Sequence, residues 1–202
     1  MPLLLASTFQ HFKQLDAFKN SLKSWKVACI TTAALTQIDD NPERPAWVIG
    51  EIDAIRNLAG EFFEYDLRGK KIDDLKTDLS HCDLIYFIGG NTFCLLEIIN
   101  KSGFREFSKK YISEGRSIWG GSAGAIVHCP DINYITCMDD PKKANLESTK
   151  ALMNTHLYIL PHWNGKHQAE ALECLKTNSA LPIVCLTDEQ AIYIDGNKIE
   201  IL

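Results

Sequence analysis

Apolar residues in this chain follow two rhythms: short unbroken runs, and longer segments in which they return every three or four positions. The runs at 3–7, 26–31, 62–67 and 83–88 read as strands, and the last is so continuously apolar that it predicts a strand buried on both faces of a parallel sheet. Between them, 9–22 (with Phe12, Leu15, Phe18 and Leu22), 46–58 (with Trp47, Ile49, Ile52, Ile55 and Leu58) and 72–79 carry helical spacing. The stretch 32–45 is rich in Thr, Asp, Asn and Pro and reads as a loop. Strands and helices alternating in this way build an α/β fold around a mostly parallel sheet.

The second half continues the pattern. Gly89-Gly90-Asn91 ends the fourth strand, Thr92 opens a helix running to about residue 100, and 104–114 supplies another. A short apolar strand at 117–119 then meets Gly120-Gly121-Ser122-Ala123-Gly124-Ala125, and 123–128 reads as the start of a helix. Periodicity is lost over 129–152, which carries Pro130, Asp131, Asp139, Asp140 and Pro141; this predicts an irregular surface excursion, either a plain loop or a substrate-binding flap. Strands at 157–160 and 183–186 bracket a helix at 165–176, and 191–195 with 198–202 flank Gly196-Asn197 as a C-terminal β-hairpin. With no internal repeat, residues 1–202 read as one domain, long enough at 46% hydrophobic content to bury one substantial core.

The charge balance narrows the partners. A net charge of −5 with both signs mixed argues against nucleic acid, which selects clustered Lys and Arg. The apolar start 3–6 is about one strand long and lacks a basic leader, so neither a signal peptide nor a membrane span is expected. Seven cysteines, odd in number and without a C-x-x-C pair, read as reduced thiols of a cytoplasmic protein. His, Cys and carboxylates do not cluster at ligand spacing, so neither a metal nor a cofactor is expected. Monomer and homodimer both stay open.

The chemistry sits at the turns. Gly120-Gly121-Ser122-Ala123-Gly124 has the G-x-S-x-G form of a nucleophile elbow, in which a strained turn lifts the serine above the sheet and frees the next backbone N–H for an oxyanion. The competing reading is a tight turn whose serine merely caps a helix. In an open parallel sheet, sites form beyond the carboxyl ends of the strands. Gly89-Gly90, Ser122, Pro161-His162 and Asp188-Glu189 each follow a predicted strand and therefore share one edge. His162 can serve Ser122 as a base, and Asp188 can orient His162. The other histidines fit less well. His156 precedes its strand, on the order of 13 Å from that edge at about 3.3 Å per residue. His128 lies roughly 9 Å along its helix at 1.5 Å per residue, His167 falls within the next helix, and His11 and His81 sit at the wrong ends of their elements. The order serine, histidine, acid differs from the usual α/β-hydrolase order, which would require Asp131, Asp139 or Asp140 as the acid.

Four stretches, Phe87-Ile88-Gly89-Gly90-Asn91-Thr92-Phe93, Gly120-Gly121-Ser122-Ala123-Gly124-Ala125, Leu160-Pro161-His162-Trp163-Asn164 and Leu186-Thr187-Asp188-Glu189-Gln190-Ala191, resemble the peptidase E (aspartyl dipeptidase) and cyanophycinase-like serine peptidases over nearly the whole chain. That resemblance implies a three-layer α/β sandwich of the class I glutamine amidotransferase type. It implies Ser122 as nucleophile, His162 as general base and then acid, and the N–H groups of Gly90 and Ala123 as the oxyanion hole, with Asn91 and Asn164 against the substrate. The third triad position falls at Asp188, where the dipeptidase pattern has glutamate; Glu189 is the alternative acid. The implied activity is hydrolysis of small peptides through an acyl-enzyme, with Asp-X dipeptides as candidate substrates; Lys166 is the local cation such a substrate would need, though it reads more readily as a solvated helix start. An esterase using the same serine, and an inactive binding protein on the same fold, are the alternatives.

Overall fold

Period-two alternation of apolar side chains splits the core into two layers on either side of one sheet. In the computed structural model, which describes residues 3–38, 43–165 and 167–202, the strands β1 (Leu3–Ala6), β2 (Lys26–Ile30), β3 (Glu61–Tyr65), β4 (Leu84–Phe87), β5 (Ser117–Gly121), β8 (Ala191–Asp195) and β9 (Lys198–Ile201) form a seven-stranded sheet in the order β3-β2-β4-β5-β1-β8-β9. The first five of that order run parallel, and the C-terminal hairpin β8-β9 joins antiparallel beside β1. Leu3, Leu5, Ala28, Ile30, Ile85, Phe87 and Ile118 point to one layer, and Leu4, Ala6, Val27, Cys29, Leu84, Tyr86 and Trp119 to the other.

Helices cover both faces. On the first side α4 (Ile72–Leu79), α5 (Thr92–Ser102), α6 (Phe104–Ser113), α7 (Ala123–Ile126) and α8 (Gln168–Thr177) bury Leu75, Leu96, Phe107, Ala125 and Cys174. On the second, α1 (Lys19–Leu22) and α3 (Ala46–Arg56) bury Leu22, Val48, Ile52 and Ile55, and Phe9 stacks on Trp119 at 5.6 Å. Helix, sheet and helix make the three-layer α/β sandwich that the family resemblance implies.

Four local expectations change. The segment 9–22 is not one helix: residues 9–14 are irregular, a 3-10 turn covers Leu15–Phe18, and only α1 is helical. Its start is held open because the Glu51 carboxylate takes the N–H groups of Phe9 and Gln10. The predicted loop 32–45 begins as α2 (Thr32–Ile38), where Ala33, Ala34 and Leu35 favour helix; residues 39–42 lie outside the described residues. The excursion 129–152 is irregular but not superficial, since Ile132, Tyr134 and Ile135 are buried in the core. Finally, β6 (Tyr158–Leu160) and β7 (Ile183–Cys185) pair with each other as a separate two-stranded parallel sheet instead of extending the large one.

Candidate active site

The elbow is built by crowding. Gly120 and Gly124 face each other so closely that a Cβ on Gly120 would stand 2.2 Å from the Gly124 carbonyl oxygen, and one on Gly124 would stand 2.4 Å from that of Phe87. Only glycine lets β5 turn back into α7 against β4. The turn leaves Ser122 at φ 51°, ψ −117°, a backbone state that costs a non-glycine residue of order 1–3 kcal/mol. Two anchors hold it there: the Ser122 N–H donates to Ala6 O on β1 at 3.1 Å, and its carbonyl accepts from Ala125 and Ile126. Its hydroxyl stands free of the helix end, because no side-chain cap bond is made.

The small sheet delivers the histidine. β6 and β7 end in register, Leu160 opposite Cys185, and the Leu186 N–H donates to Leu160 O while the Trp163 N–H donates to Leu186 O. His162 follows at φ 61°, a second strained non-glycine residue. Its Nε2 lies 3.0 Å from Ser122 Oγ and its Nδ1 2.7 Å from Asp188 Oδ1. A carboxylate only accepts, so Nδ1 carries the proton and Nε2 is left to accept from the serine hydroxyl. Asp188 lies in the turn that leads from β7 into β8, the antiparallel strand whose first residue pairs with Ala6. The bond from His162 holds the Asp188 carboxyl below its ordinary range, against the upward push of partial burial; Ser7 and the nearby His11 act in the same downward direction.

A cavity of about 560 Å³ opens over this line and is walled by Trp47, Ile126, Ile135 and Met138. Gly89 and Gly90 border it opposite Ser122. Gly90 has φ 143°, and a Cβ there would stand 2.2 Å from Ala33 O. Among the described residues, neither the Gly90 N–H nor the Ala123 N–H has a hydrogen-bond partner.

The remaining sequence candidates divide. Glu189 is turned outward and paired with Lys13 at 2.5 Å, so geometry sets Asp188, not Glu189, against His162. Asn91 does not border the cavity: its Oδ1 accepts from the Cys94 N–H to cap α5, and its amide donates to Asp140 O. Asn164 is exposed and also outside the cavity wall. Lys166 lies outside the described residues. Asp139 does border the cavity, with one carboxylate oxygen accepting from both the N–H and the hydroxyl of Thr92; burial pushes its carboxyl up.

Two histidines that the edge rule set aside, His11 and His167, line the cavity, and the His167 ring lies 5.8 Å from that of His162. His128 is fully buried, with Nδ1 at 2.8 Å from the Asn154 amide, and burial lowers its pKa to about 3. All seven cysteines are unpaired. No helix among the described residues is long and apolar enough to cross a membrane.

Sequence reasoning passed over Ser7 and Glu51. Ser7 is completely buried; its Oγ donates to Asp188 Oδ1 at 2.7 Å and accepts the His162 N–H at 2.8 Å. It follows β1 at the same carboxyl edge as the other four groups, so the rule that found them also points to it. Glu51 is a carboxylate on the buried stripe of α3, beside Val48, Ile52 and Ile55, and that misplaced charge was its signal. It accepts from the Thr8 hydroxyl, from the N–H groups of Phe9 and Gln10, and from the Tyr86 phenol at 2.7 Å.

Comparison with known proteins places the chain in a family. The model of peptidase family S51 matches residues 3–202. An uncharacterised peptidase of Listeria monocytogenes is 31% identical over 201 residues, spanning 98% of this chain and 96% of its own. Peptidase E of Haemophilus influenzae is 31% identical over 144 residues, which cover 65% of this chain and 63% of that protein. A crystal structure from Listeria monocytogenes, provisionally assigned as a peptidase E, superposes with a TM-score of 0.88 at 28% identity, covering 100% of this chain and 97% of that one. The glutamine amidotransferase-like fold of peptidase E is therefore the fold found here. With the family model matched along 3–202 and a relative of this identity along nearly its whole length, the chain belongs to peptidase family S51 and is a serine-type peptidase.

Proposed function

We propose that the protein hydrolyses small peptides through an acyl-enzyme formed on Ser122. The observation that carries this reading is the line Ser122 Oγ, His162 Nε2, His162 Nδ1, Asp188 Oδ1, with spacings of 3.0 and 2.7 Å. As Oγ attacks the scissile carbonyl carbon, its proton passes to Nε2, and Asp188 stabilises the imidazolium through the Nδ1 proton. The developing oxyanion is taken by the N–H groups of Gly90 and Ala123, where fixed donors are worth most to the transition state. The imidazolium then protonates the leaving amine as the C–N bond breaks; water, giving its proton to the same Nε2, adds to the acyl carbon, the C–Oγ bond breaks, and the imidazolium returns the proton to Ser122 Oγ as the acid leaves.

The cavity volume suits a ligand of dipeptide size. Asp-X dipeptides are the candidate substrates, by similarity to the peptidases named E. The basic groups bordering the cavity among the described residues are histidines, His11, His162 and His167, so recognition of an aspartate side chain in this reading rests on His11 and His167. A cytoplasmic setting is supported by the seven unpaired thiols.

The test is hydrolysis of a dipeptide panel that includes Asp-X members by the parent protein and by Ser122→Ala. Turnover that falls by about 10⁴-fold or more in the variant supports the reading. Equal turnover in both proteins overturns it, and an active parent that spares every Asp-X member overturns the aspartate preference alone.

A further inference from the structure

We propose that Ser7 is a positioning residue for the reaction, a fourth group that fixes His162 and Asp188 relative to Ser122; this rests on the proposed role of those three residues. A single buried hydroxyl touches both partners. Ser7 Oγ donates its one proton to Asp188 Oδ1 at 2.7 Å, the same oxygen that receives His162 Nδ1–H, and its lone pair accepts the His162 main-chain N–H at 2.8 Å. The hydroxyl has one proton to give, and the carboxylate takes it. A main-chain N–H can only donate, so the direction of each bond is settled by chemistry.

The N–H bond matters because of where the chain stands at His162. At φ 61° a non-glycine residue is held in a conformation it does not favour, and something outside the residue must hold it. Pro161 precedes it and supplies no donor of its own. The His162 carbonyl is engaged by the Gly165 N–H, and Ser7 engages its N–H. Both main-chain groups of the histidine are thus held, the carbonyl by Gly165 and the N–H by Ser7.

Ser7 is itself fixed by the centre of the sheet. It directly follows β1, whose last residue, Ala6, accepts the Ser122 N–H, and its own N–H donates to Gln190 O in the turn that carries Asp188. Residues 6 and 7 therefore join the elbow, the histidine loop and the acid turn, which reach the site from two different sheets. Behind Ser7, the Glu51 carboxylate ties down residues 8–10, so the β1 end cannot drift. The device acts through its two partners: it keeps Nδ1 aimed at Oδ1, and hence Nε2 at Ser122 Oγ.

The experiment compares parent, Ser7→Ala and Ser7→Thr on the best peptide of the panel, with each rate divided by the number of Ser122 sites titrated by a serine-directed phosphonate. Ser7→Ala is expected to lower kcat per titrated site about 10- to 100-fold, the loss of bonds made to a charged group, with KM within about two-fold. The downfield proton signal of the Nδ1–H to Asp188 bond is expected to broaden or vanish in Ser7→Ala and to persist in Ser7→Thr, which keeps the hydroxyl and recovers most of the rate. A merely structural role would reduce the titrated fraction and leave kcat per site and the proton signal unchanged. That result, or a Ser7→Ala enzyme within two-fold of the parent, overturns the proposal. A parent that neither labels nor turns over fails the Ser122 reading instead, so the two failures are distinct. Should Ser7→Thr not fold, the rate per site and proton signal of Ser7→Ala decide alone.

Discussion

Nε2 of His162 sits 3.0 Å from Oγ of Ser122, although the two residues are carried by different sheets and both hold positive φ, 61° and 51°. Strain at both ends of one hydrogen bond means that neither group rests there by local preference. The surrounding structure imposes the contact, and the glycines packed behind the elbow, the small β6-β7 sheet and the end of β1 are what impose it.

The proposed acid can be separated from its neighbour. Asp188 touches His162, whereas Glu189 is exposed and paired with Lys13. Asp188→Asn is expected to lower kcat by about 10²- to 10⁴-fold, because an amide in that place favours the wrong imidazole tautomer. Glu189→Gln is expected to stay within two-fold, since an exposed ion pair contributes little. Steady-state kinetics of both variants on one substrate check this, and the reverse ranking would contradict the assignment.

His128 makes stability depend on pH. Burial lowers its pKa in the folded protein to about 3, against about 6.5 in the unfolded chain, so the unfolded state binds the proton first as pH falls. Its contribution is present in full above the unfolded value and is lost progressively towards about 3. Between pH 7 and pH 5 this amounts to about 2 kcal/mol. Urea unfolding at the two pH values should show that loss in the parent and a smaller one in His128→Phe; identical pH dependence in the two proteins would contradict it. The lowered pKa of Asp188 acts in the same sense but further into acid: its stabilisation holds above the ordinary carboxylate range and fades as pH drops through the lowered value.

Glu51 braces the site from behind. Its two oxygens accept four donors, from Thr8, Phe9, Gln10 and Tyr86, and burial pushes the Tyr86 phenol well up. Glu51→Gln turns its amide N–H₂ towards the main-chain N–H of Phe9 or of Gln10, neither of which can accept, at a cost of about 1–3 kcal/mol. The expected signature is a lower unfolding midpoint together with faster amide exchange at Phe9 and Gln10. Unchanged exchange at those two amides would show that the carboxylate does not hold the loop.

How far the sequence carries depends on whether a feature is local. The strands and the elbow were legible because their signals, an apolar run or a glycine turn, lie within a few consecutive residues; β4, β5 and the β8-β9 hairpin appear where the pattern puts them. The edge rule brought Ser122, His162 and Asp188 together from positions 40 and 26 residues apart. It worked even though β6 and β7 leave the main sheet, because their carboxyl ends still point at the same place. What stayed hidden depends on distant partners. The helical spacing of 9–22 is genuine, but Glu51 takes the backbone donors at its start. Asn91 looks like a ligand group next to two glycines, yet both ends of its side chain are spent on α5 and on Asp140. His11 and His167 reach the cavity because the segments read as helical, 9–22 and 165–176, begin irregularly, so that both residues precede the helix that forms.

The central claim is that Ser122 is a nucleophile driven by His162, and intact-mass measurement after exposure to a serine-directed phosphonate tests it most directly. The account predicts one adduct per parent chain, mapped by peptide mass to Ser122, absent in Ser122→Ala and formed at least 10²-fold more slowly in His162→Ala. An adduct that maps elsewhere, or that forms on Ser122 equally fast without His162, would contradict it.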